Sequence, residues 1–343
     1  MKRVGNLYDK IISVENLMVA DDNARKGKLK TYGVRFHDKN KEANIQKLHE
    51  QLKDRSLTPS EYETFTIYEP KERLIFRLPY FPDRILHHAI MNVLEPIWVS
   101  VFTADSFSCI KGRGIHGAMK KVKMAMRDVD NARYCLKIDI KKFYPRIDHD
   151  VLKQVVRRKI KCADTLALLD KIIDSAEGVP IGNYLSQYFA NLVLTYFDHW
   201  IKEVKRVKYY FRYADDMVFF STNKDDLHTL LCDIKEYLRC ELKLELKGNE
   251  QVFPLAKDHR DKHGRGLDFV GFVFYHKEMR LRKSIKQNFC RAAAKLNKKE
   301  GVPPAVYKQR LCSWFGWAKH SNSTKLLKTI IKPEMYETCK LRQ

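Results

Sequence analysis

The sequence predicts an α+β fold in which an antiparallel sheet is backed on one side by helices. Three observations support this prediction: an alternating apolar run leads to Asp139, two helical patterns follow it, and two aromatic-rich strands then flank an Ala-Asp-Asp turn. A further helix and strand complete the order β, α, α, β-hairpin, α, β, which is that of a split βαβ arrangement. Such a sheet would bring Asp139 beside Asp215 and Asp216.

The first strand is predicted over residues 134–140, with the sequence YCLKIDI. Its side chains alternate, so that Leu136, Ile138 and Ile140 share one face while Asp139 lies at the end of the other face. The run is therefore typical of a half-buried strand that ends in a carboxylate.

The elements that follow this strand are predicted from capping and periodicity. Asp148 is expected to cap a helix, and a second helix is expected from about 183 to 202. After residue 207, KYYFRYADDMVFFS predicts a β-hairpin with acidic residues at its tip. A helix near 224–240 and a strand near 242–247 are expected to close the block.

The flanking segments carry simpler patterns. Residues 40–57 are expected to form an amphipathic helix, followed by the β-rich run YETFTIYEPKERLIFRLPYF and a helix over 83–98. From residue 280 onward the chain reads as a basic, mainly helical lobe whose Trp314, Phe315 and Trp317 form its core.

Composition indicates a polyanionic partner. The 343 residues include 65 Lys and Arg against 42 Asp and Glu, which gives a formal charge of +23 and favours nucleic acid. The sequence contains no apolar run of roughly 20 residues, so we expect no membrane-spanning segment and a cytoplasmic location. Its 8 cysteines are scattered without CxxC spacing, which predicts reduced, mostly buried thiols and neither zinc nor disulfides.

Adjacent Asp215 and Asp216 in an apolar hairpin predict a cation site. Two like charges side by side raise the free-energy cost of ionising both, and a bound cation removes that cost. Mg²⁺ prefers carboxylate, phosphate and water oxygens, so strand-end aspartates can hold two ions roughly 3.5–4 Å apart on a nucleoside triphosphate. An isolated Asp-Asp pair is more often a turn, and the surrounding motifs favour the metal site.

With YADD between aromatic strands and LKIDIKKFY upstream, the sequence resembles the reverse transcriptase family over most of its length. The resemblance implies an RNA-directed DNA polymerase with Asp139, Asp215 and Asp216 as catalytic metal ligands, assisted by the carbonyl of Ile140. It also implies two Mg²⁺ ions, for which Mn²⁺ can substitute. Tyr144 would be the steric gate that excludes a ribose 2′-hydroxyl, with a plain core tyrosine as the alternative.

The resemblance further implies a right-hand polymerase with a ferredoxin-like palm. The expected divisions are an N-terminal extension and fingers over 1–133, a palm over 134–279 and a basic helical thumb over 280–343. A fingers insertion is expected at about 145–180. Within the palm, DFVGFVFY is similar to the hairpin that grips the primer.

The same resemblance implies residues that bind the incoming nucleotide. Lys71, Arg73 and Arg84 would hold its triphosphate, because Arg and Lys stabilise the charge that moves in phosphoryl transfer. Solvated surface charge is the alternative for each of them. Lys247 is similar to a lysine that protonates pyrophosphate and is a candidate general acid, with an ordinary exposed lysine near a turn as the alternative.

The segment IGNYLSQ narrows the resemblance. Reverse transcriptases commonly carry Gln-Gly-x-x-x-Ser-Pro at the loop that touches the nucleotide, whereas this chain has Ile181, Gly182 and Gln187 there. An aliphatic side chain at 181 cannot donate amide hydrogen bonds, so looser base-pair checking and lower fidelity are expected. The pattern is similar to that of the reverse transcriptases of diversity-generating retroelements. These enzymes copy a template RNA with errors at adenines.

Partners follow from this subfamily resemblance. It implies template RNA, a primer-template, deoxynucleoside triphosphates and a small basic accessory variability protein, in a bacterial or phage-encoded system. One alternative is another bacterial reverse transcriptase, of the phage-defence or retron type. Another is an RNA-binding protein that keeps the palm without its chemistry.

Overall fold

The computed structural model of this chain describes residues 2–68 and 72–339. In these residues the helices are, in chain order, α1 (Tyr8–Ile12), α2 (Val14–Ala24), α3 (Tyr32–Asp38), α4 (Lys41–Lys53), α5 (Ile85–Val99), α6 (Gly114–Ala125), α7 (His149–Lys159), α8 (Ala163–Ile173), α9 (Tyr184–His199), α10 (Lys224–Leu242), α11 (Lys283–Asn297), α12 (Pro304–Ala318), α13 (Thr324–Ile330) and α14 (Pro333–Cys339). The strands are β1 (Glu63–Ile67), β2 (Arg73–Arg77), β3 (Tyr134–Asp139), β4 (Tyr209–Tyr213), β5 (Asp216–Ser221), β6 (Gln251–Pro254), β7 (Leu267–Phe269), β8 (Phe272–Phe274) and β9 (Met279–Leu281). No described helix is both long and apolar enough to cross a membrane.

The chain forms two compact units that interleave along the sequence. The first contains Met1–Lys111, Asp139–Arg206 and Cys232–Asn249, and the second contains Gly112–Ile138, Val207–Leu231 and Glu250–Gln343. The predicted scheme of 1–133, 134–279 and 280–343 is a functional division and stays a prediction.

The first unit has a helical core with α5 and α9 at its centre. Trp98 of α5 is fully buried and its ring lies 6.4 Å from that of Tyr188 on α9 and 6.0 Å from that of Phe189. Of the 16 residues of α9, 12 are buried, so this helix packs against neighbours on several sides. The strands β1 and β2 form an antiparallel hairpin in the same unit, as the β-rich run predicted.

Helix α7 begins where the sequence predicted. The side chain of Asp148 accepts a 3.0 Å hydrogen bond from the backbone N–H of Val151, which is the expected N-cap geometry. Lys243 forms an ion pair with the same carboxylate at 2.8 Å. Burial raises the pKa of Asp148, but the Lys243 ammonium and the capped amides outweigh it, so the pKa lies below its ordinary value.

The second unit contains a four-stranded sheet with the order β4-β5-β3-β6. The pairs β4–β5 and β3–β6 are antiparallel, and the central strand β5 is buried from Met217 to Phe220. This is the antiparallel sheet that the alternating sequence patterns predicted.

The closing strand of this sheet was predicted at 242–247, and that position is wrong. Lys243 follows α10 with φ +55°, and only Leu246 then forms a bridge, with Ile140. Gly248 turns the chain again with φ +81°, and β6 at Gln251–Pro254 supplies the pairing with β3. The positive φ of Lys243 turns the chain directly after α10, so the helix runs into the predicted strand and leaves only the bridge at Leu246.

A second sheet, β7-β8-β9, carries the predicted DFVGFVFY hairpin and one further strand. Gly271 forms its turn with φ +87°, and a Cβ there would lie 2.4 Å from Cζ3 of Trp317. Trp314 stacks on Phe289 at 6.0 Å and Phe315 is 3% exposed, so the aromatic side chains of α12 form a core as predicted.

The cysteines depart from the prediction of mostly buried thiols. Of the seven described, only Cys135 is buried, while Cys109, Cys232, Cys240 and Cys312 are exposed. Cysteine composition alone carries no periodic signal, so burial has to be read from the element that holds each residue.

Candidate active site

The Asp215-Asp216 pair lies at the tip of the β4–β5 hairpin, as predicted. Tyr213 pairs with Asp216, which leaves Ala214 and Asp215 as the two-residue turn. Ala214 has φ +55°, and positive φ values are typical of two-residue hairpin turns because they match the twist of the strands. The turn therefore presents both carboxylates at one end of the sheet.

A buried arginine supports this turn. Arg212 is fully buried, and its Nη1 donates a 3.2 Å hydrogen bond to the carbonyl oxygen of Ala214. A guanidinium brought into the interior needs acceptors, and the turn carbonyl is one of them. The sequence analysis did not identify Arg212 as a functional residue. A cation inside an aromatic strand, two residues before an acidic turn, is the pattern that could have identified it.

Asp139 is the last residue of β3, the strand next to β5 in the sheet. Its backbone carbonyl accepts a 2.9 Å hydrogen bond from the N–H of Lys247, and its carboxylate lies 3.5 Å from Nζ of the same lysine. The adjacent bridge between Ile140 and Leu246 holds these two segments together. The predicted general acid, Lys247, therefore lies beside a predicted metal ligand.

A second lysine faces the hairpin. Lys137 Nζ lies 3.4 Å from Oδ2 of Asp216 and donates a 2.6 Å hydrogen bond to the carbonyl of Asp268. The sequence analysis did not single out Lys137, although it stands two residues before Asp139 and so projects from the same face of β3. The Lys137 and Lys247 ammonium groups each neutralise one carboxylate.

Among residues 2–68 and 72–339, no three His, Cys, Asp or Glu side chains are arranged as a metal-binding group. The donor chemistry of the aspartates nevertheless fits a hard divalent cation. The side chains of Asp139 and Asp216 are 26% and 29% exposed, and each already has a cationic nitrogen within 3.5 Å. A divalent cation would take over the neutralisation that the two lysines provide here.

Tyr144, the predicted gate, begins the short turn Tyr144–Arg146 and is half-buried. Its carbonyl accepts a 2.9 Å hydrogen bond from the N–H of Val179, and its ring meets that of Phe143 edge-on at 5.6 Å. Gly178 lies over this turn, where a Cβ would come within 2.4 Å of the carbonyl oxygen of Pro145. The glycine therefore permits the close packing that fixes the Tyr144 backbone.

Ile181 and Gly182, at the start of the segment Ile181–Gln187, contact β2. The N–H of Phe76 donates a 2.8 Å hydrogen bond to the carbonyl oxygen of Ile181. Gly182 has φ +123°, and a Cβ there would lie 2.6 Å from the Phe76 carbonyl oxygen. Ile181 is half-buried and Gln187 is exposed. The loop that was predicted to contact the nucleotide is thus attached to the β1–β2 hairpin.

The predicted triphosphate-binding residues lie in different settings. Arg73 is exposed at the start of β2, and Lys71 lies outside the described residues. Arg84 lines a cavity together with Arg77 and Lys28. Burial and then the charge of Arg77 lower the pKa of Arg84 below its ordinary value.

Comparison with known proteins supports the family suggested by these motifs. Residues 69–253 match the model of the family described as "Reverse transcriptase (RNA-dependent DNA polymerase)". Protein YkfC of Escherichia coli K12 is 26% identical over 278 residues, which cover 66% of this chain and 71% of YkfC. The group II intron-encoded protein LtrA of Lactococcus lactis is 27% identical over 177 residues, covering 48% of this chain and 29% of LtrA.

The fold is also similar to a solved structure. The apo telomerase of Candida tropicalis superposes with a TM-score of 0.53 at 13% identity, covering 82% of this chain and 56% of the telomerase chain. This chain therefore spans little more than half of that telomerase chain and under a third of LtrA.

Proposed function

This chain belongs to the reverse transcriptase family, and from that premise we propose that it copies an RNA template into DNA. Residues 69–253 form a reverse transcriptase domain, the domain type that carries RNA-directed DNA polymerase activity. The observation that carries the proposal is the position of the acidic hairpin tip. Asp216 begins β5, and β5 lies beside β3, the strand that ends in Asp139.

In this proposal Asp139, Asp215 and Asp216 hold divalent cations, with the carbonyl of Ile140 as a further ligand. Two Mg²⁺ ions, or Mn²⁺ in their place, would supply activation of the primer hydroxyl and neutralisation of the leaving pyrophosphate. The role of the chain is to present hard oxygen donors at a partly exposed strand end, where a nucleotide can reach them.

The remaining predicted residues take roles around the nucleotide. Lys71 and Arg73 hold the triphosphate, and Tyr144 blocks a ribose 2′-hydroxyl. Lys247, held beside Asp139 by its own backbone hydrogen bond, donates a proton to the pyrophosphate oxygen. Ile181, Gly182 and Gln187 form the loop against which the new base pair is checked.

We further propose that the enzyme is error-prone at template adenines and makes mutagenic cDNA for a diversity-generating retroelement. The support is the side chain of Ile181, which has no amide with which to test base-pair geometry. The implied partners are a template RNA and a small basic accessory variability protein. A faithful enzyme of the phage-defence or retron type is the alternative within the family.

The test is extension of a DNA primer on an RNA template with the four deoxynucleotides and Mg²⁺. Asp215→Ala/Asp216→Ala is expected to abolish extension, while Asp225→Ala, which removes an exposed carboxylate from the first turn of α10, retains it. Extension by the double variant at the wild-type rate would contradict the metal assignment.

Sequencing of the cDNA products distinguishes an error-prone retroelement enzyme from a faithful enzyme of the phage-defence or retron type. Substitutions concentrated opposite template adenines support the retroelement, whereas errors spread evenly over the four template bases would contradict it. A wild-type chain that binds RNA and extends no primer under any divalent cation would instead support the RNA-binding palm without chemistry.

A further inference from the structure

A cavity of about 720 Å³ lies within the first unit, between α3, the β1–β2 hairpin and the turn Tyr80–Arg84. Its volume falls in the range of roughly 300–1,000 Å³ that is typical of small-molecule sites. The lining combines exposed aromatic rings with cationic side chains, so both a flat apolar group and an anion would find partners in it.

The aromatic part of the lining is a stacked pair on α3. Tyr32 and Phe36 are 80% and 59% exposed, and their ring centroids lie 5.8 Å apart at an interplanar angle of 21°. Two rings that are this exposed leave a large apolar area in water. Exposed aromatic faces of this kind are the platforms on which single-stranded nucleic acids stack their bases.

The cationic part consists of Lys28, Arg77 and Arg84. Arg77 forms an exposed ion pair of 3.6 Å with Glu63, which also lines the cavity together with Glu61. Within residues 2–68 and 72–339, no carboxylate forms an ion pair with Lys28 or Arg84. These two cations are therefore available to a bound anion.

The charges of these groups act on one another. Burial and then the charge of Arg84 lower the pKa of Lys28, and burial and then the charge of Arg77 lower that of Arg84. The nearby His88 has its pKa lowered to about 4 by burial and then by Lys28 and Arg84. Like charges gathered at a partly buried surface repel each other, and an anion placed among them relieves that repulsion.

The floor of the cavity is built from buried, hydrogen-bonded groups. His37 is 1% exposed and stacks on Phe81 at 5.5 Å, and the hydroxyl of Tyr80 donates to the buried Asp21. Gly33 lets α3 lie directly on the turn, because a Cβ there would come within 2.9 Å of Cβ of Tyr80. The packing of α3 on the turn Tyr80–Arg84 thus fixes the position of Tyr32 and Phe36.

We propose that this cavity binds an unpaired nucleotide of single-stranded RNA, with its base stacked on Tyr32 and Phe36 and its phosphate held by Lys28 and Arg84. The proposal rests on the proposed function, which makes RNA the template. It also gives Arg84 a different anion from the triphosphate that the sequence predicted for it.

The test measures binding of a fluorescently labelled, unstructured ten-nucleotide RNA to the full chain by anisotropy, without deoxynucleotides. Base stacking contributes roughly 1–3 kcal/mol per base, so Tyr32→Ala/Phe36→Ala is expected to weaken the Kd about ten-fold or more. Tyr32→Phe is expected to keep the wild-type Kd, because the ring face remains. Phe65→Ala is the matched control, since Phe65 is 45% exposed and lies on β1 outside the cavity lining.

Two further arms identify the ligand chemistry. An RNA of the same length with abasic sugars is expected to bind the wild type and Tyr32→Ala/Phe36→Ala equally, because it has no base to stack. Lys28→Gln/Arg84→Gln is expected to lower the salt slope by roughly 0.7 per lost phosphate contact.

Equal RNA affinity of the wild type and the double aromatic variant would overturn the proposal. RNA binding is measured without nucleotides, so its result is independent of whether the wild type extends a primer.

Discussion

The backbone N–H of Phe76 donates a 2.8 Å hydrogen bond to the carbonyl oxygen of Ile181, and this bond joins the β1–β2 hairpin to the loop that precedes α9. The contact continues at Gly182, which has a φ of +123°. A Cβ at this position would be directed at the Phe76 carbonyl oxygen. Backbone therefore meets backbone at this junction, without an intervening side chain. The β1–β2 hairpin and the predicted nucleotide loop are in direct contact through Ile181, Gly182 and Phe76.

Gly182→Ala is expected to disturb this junction. The added Cβ would lie 2.6 Å from the Phe76 carbonyl oxygen, and the residue would also keep an unfavourable positive φ. The free energy of unfolding should fall by about 2–4 kcal/mol, and primer extension should fall with it. Gly301→Ala is the control in urea denaturation, because its φ is +64° with nothing within 4 Å, so it loses only about 1 kcal/mol. Equal losses in the two variants would contradict the steric argument.

Ile181→Gln is expected to raise fidelity. The half-buried Ile181 has no polar group, and a glutamine amide would add a hydrogen bond that depends on base-pair geometry. One such bond of about 1 kcal/mol corresponds to roughly three- to ten-fold fewer substitutions at template adenines, as counted by sequencing the cDNA. Ile181→Leu keeps an aliphatic side chain and is expected to keep the wild-type error rate. An unchanged adenine error rate in Ile181→Gln would defeat the proposed role.

Local sequence patterns predicted β3, α7 and the β4–β5 hairpin because each of these elements depends on neighbouring residues. The alternation in YCLKIDI gave β3, the Asp148 cap gave the start of α7, and the aromatic runs around Ala214 gave the hairpin. These features are determined by side-chain periodicity and by hydrogen bonds within a few residues.

Long-range features were missed for a physical reason. The strand predicted at 242–247 is reduced to the Ile140–Leu246 bridge after the positive φ of Lys243, and β6 supplies the pairing with β3. The spacing of Lys137 and Asp139 shows that they share a face of β3, but the ion pair of Lys137 with Asp216 joins separate strands, so no local pattern predicts that partner. The cavity beside Tyr32 is formed by segments that are far apart in sequence, which places it outside the reach of motif analysis.

Lys247→Met is expected to lower the rate of nucleotide addition about 100-fold, the lower range for loss of a general acid. The lysine is held beside Asp139 by its backbone N–H, so the substitution leaves that segment in place. Single-turnover extension by one deoxynucleotide is the measurement, because it reports the chemical step separately from product release. Lys243→Met is the control, because Lys243 forms a partly exposed ion pair with Asp148. A rate within two-fold of the wild type would show that Lys247 only neutralises Asp139.

His87 is expected to make the fold less stable in mild acid. Its side chain is 5% exposed, and burial, followed by the charges of His88 and Arg84, lowers its pKa to about 4. The unfolded chain, with a histidine pKa of about 6.5, binds the proton first, so the free energy of unfolding falls as pH drops from about 6.5 to 4. Between pH 7 and pH 5 this one group accounts for about 2 kcal/mol.

Urea denaturation of His87→Leu at pH 7 and pH 5 measures this contribution, and the variant should lose about 2 kcal/mol less than the wild type between the two pH values. His199 provides a control of opposite sign. Burial lowers its pKa, but hydrogen bonds with Glu203 and the Val101 carbonyl raise it above the ordinary value overall. The stability from His199 is present below pH 6.5 and is lost as pH rises through its folded pKa, so His199→Gln should lose more stability than the wild type on acidification. An identical pH dependence in the wild type and His87→Leu would show that His87 accepts its proton in the folded chain as readily as in the unfolded one.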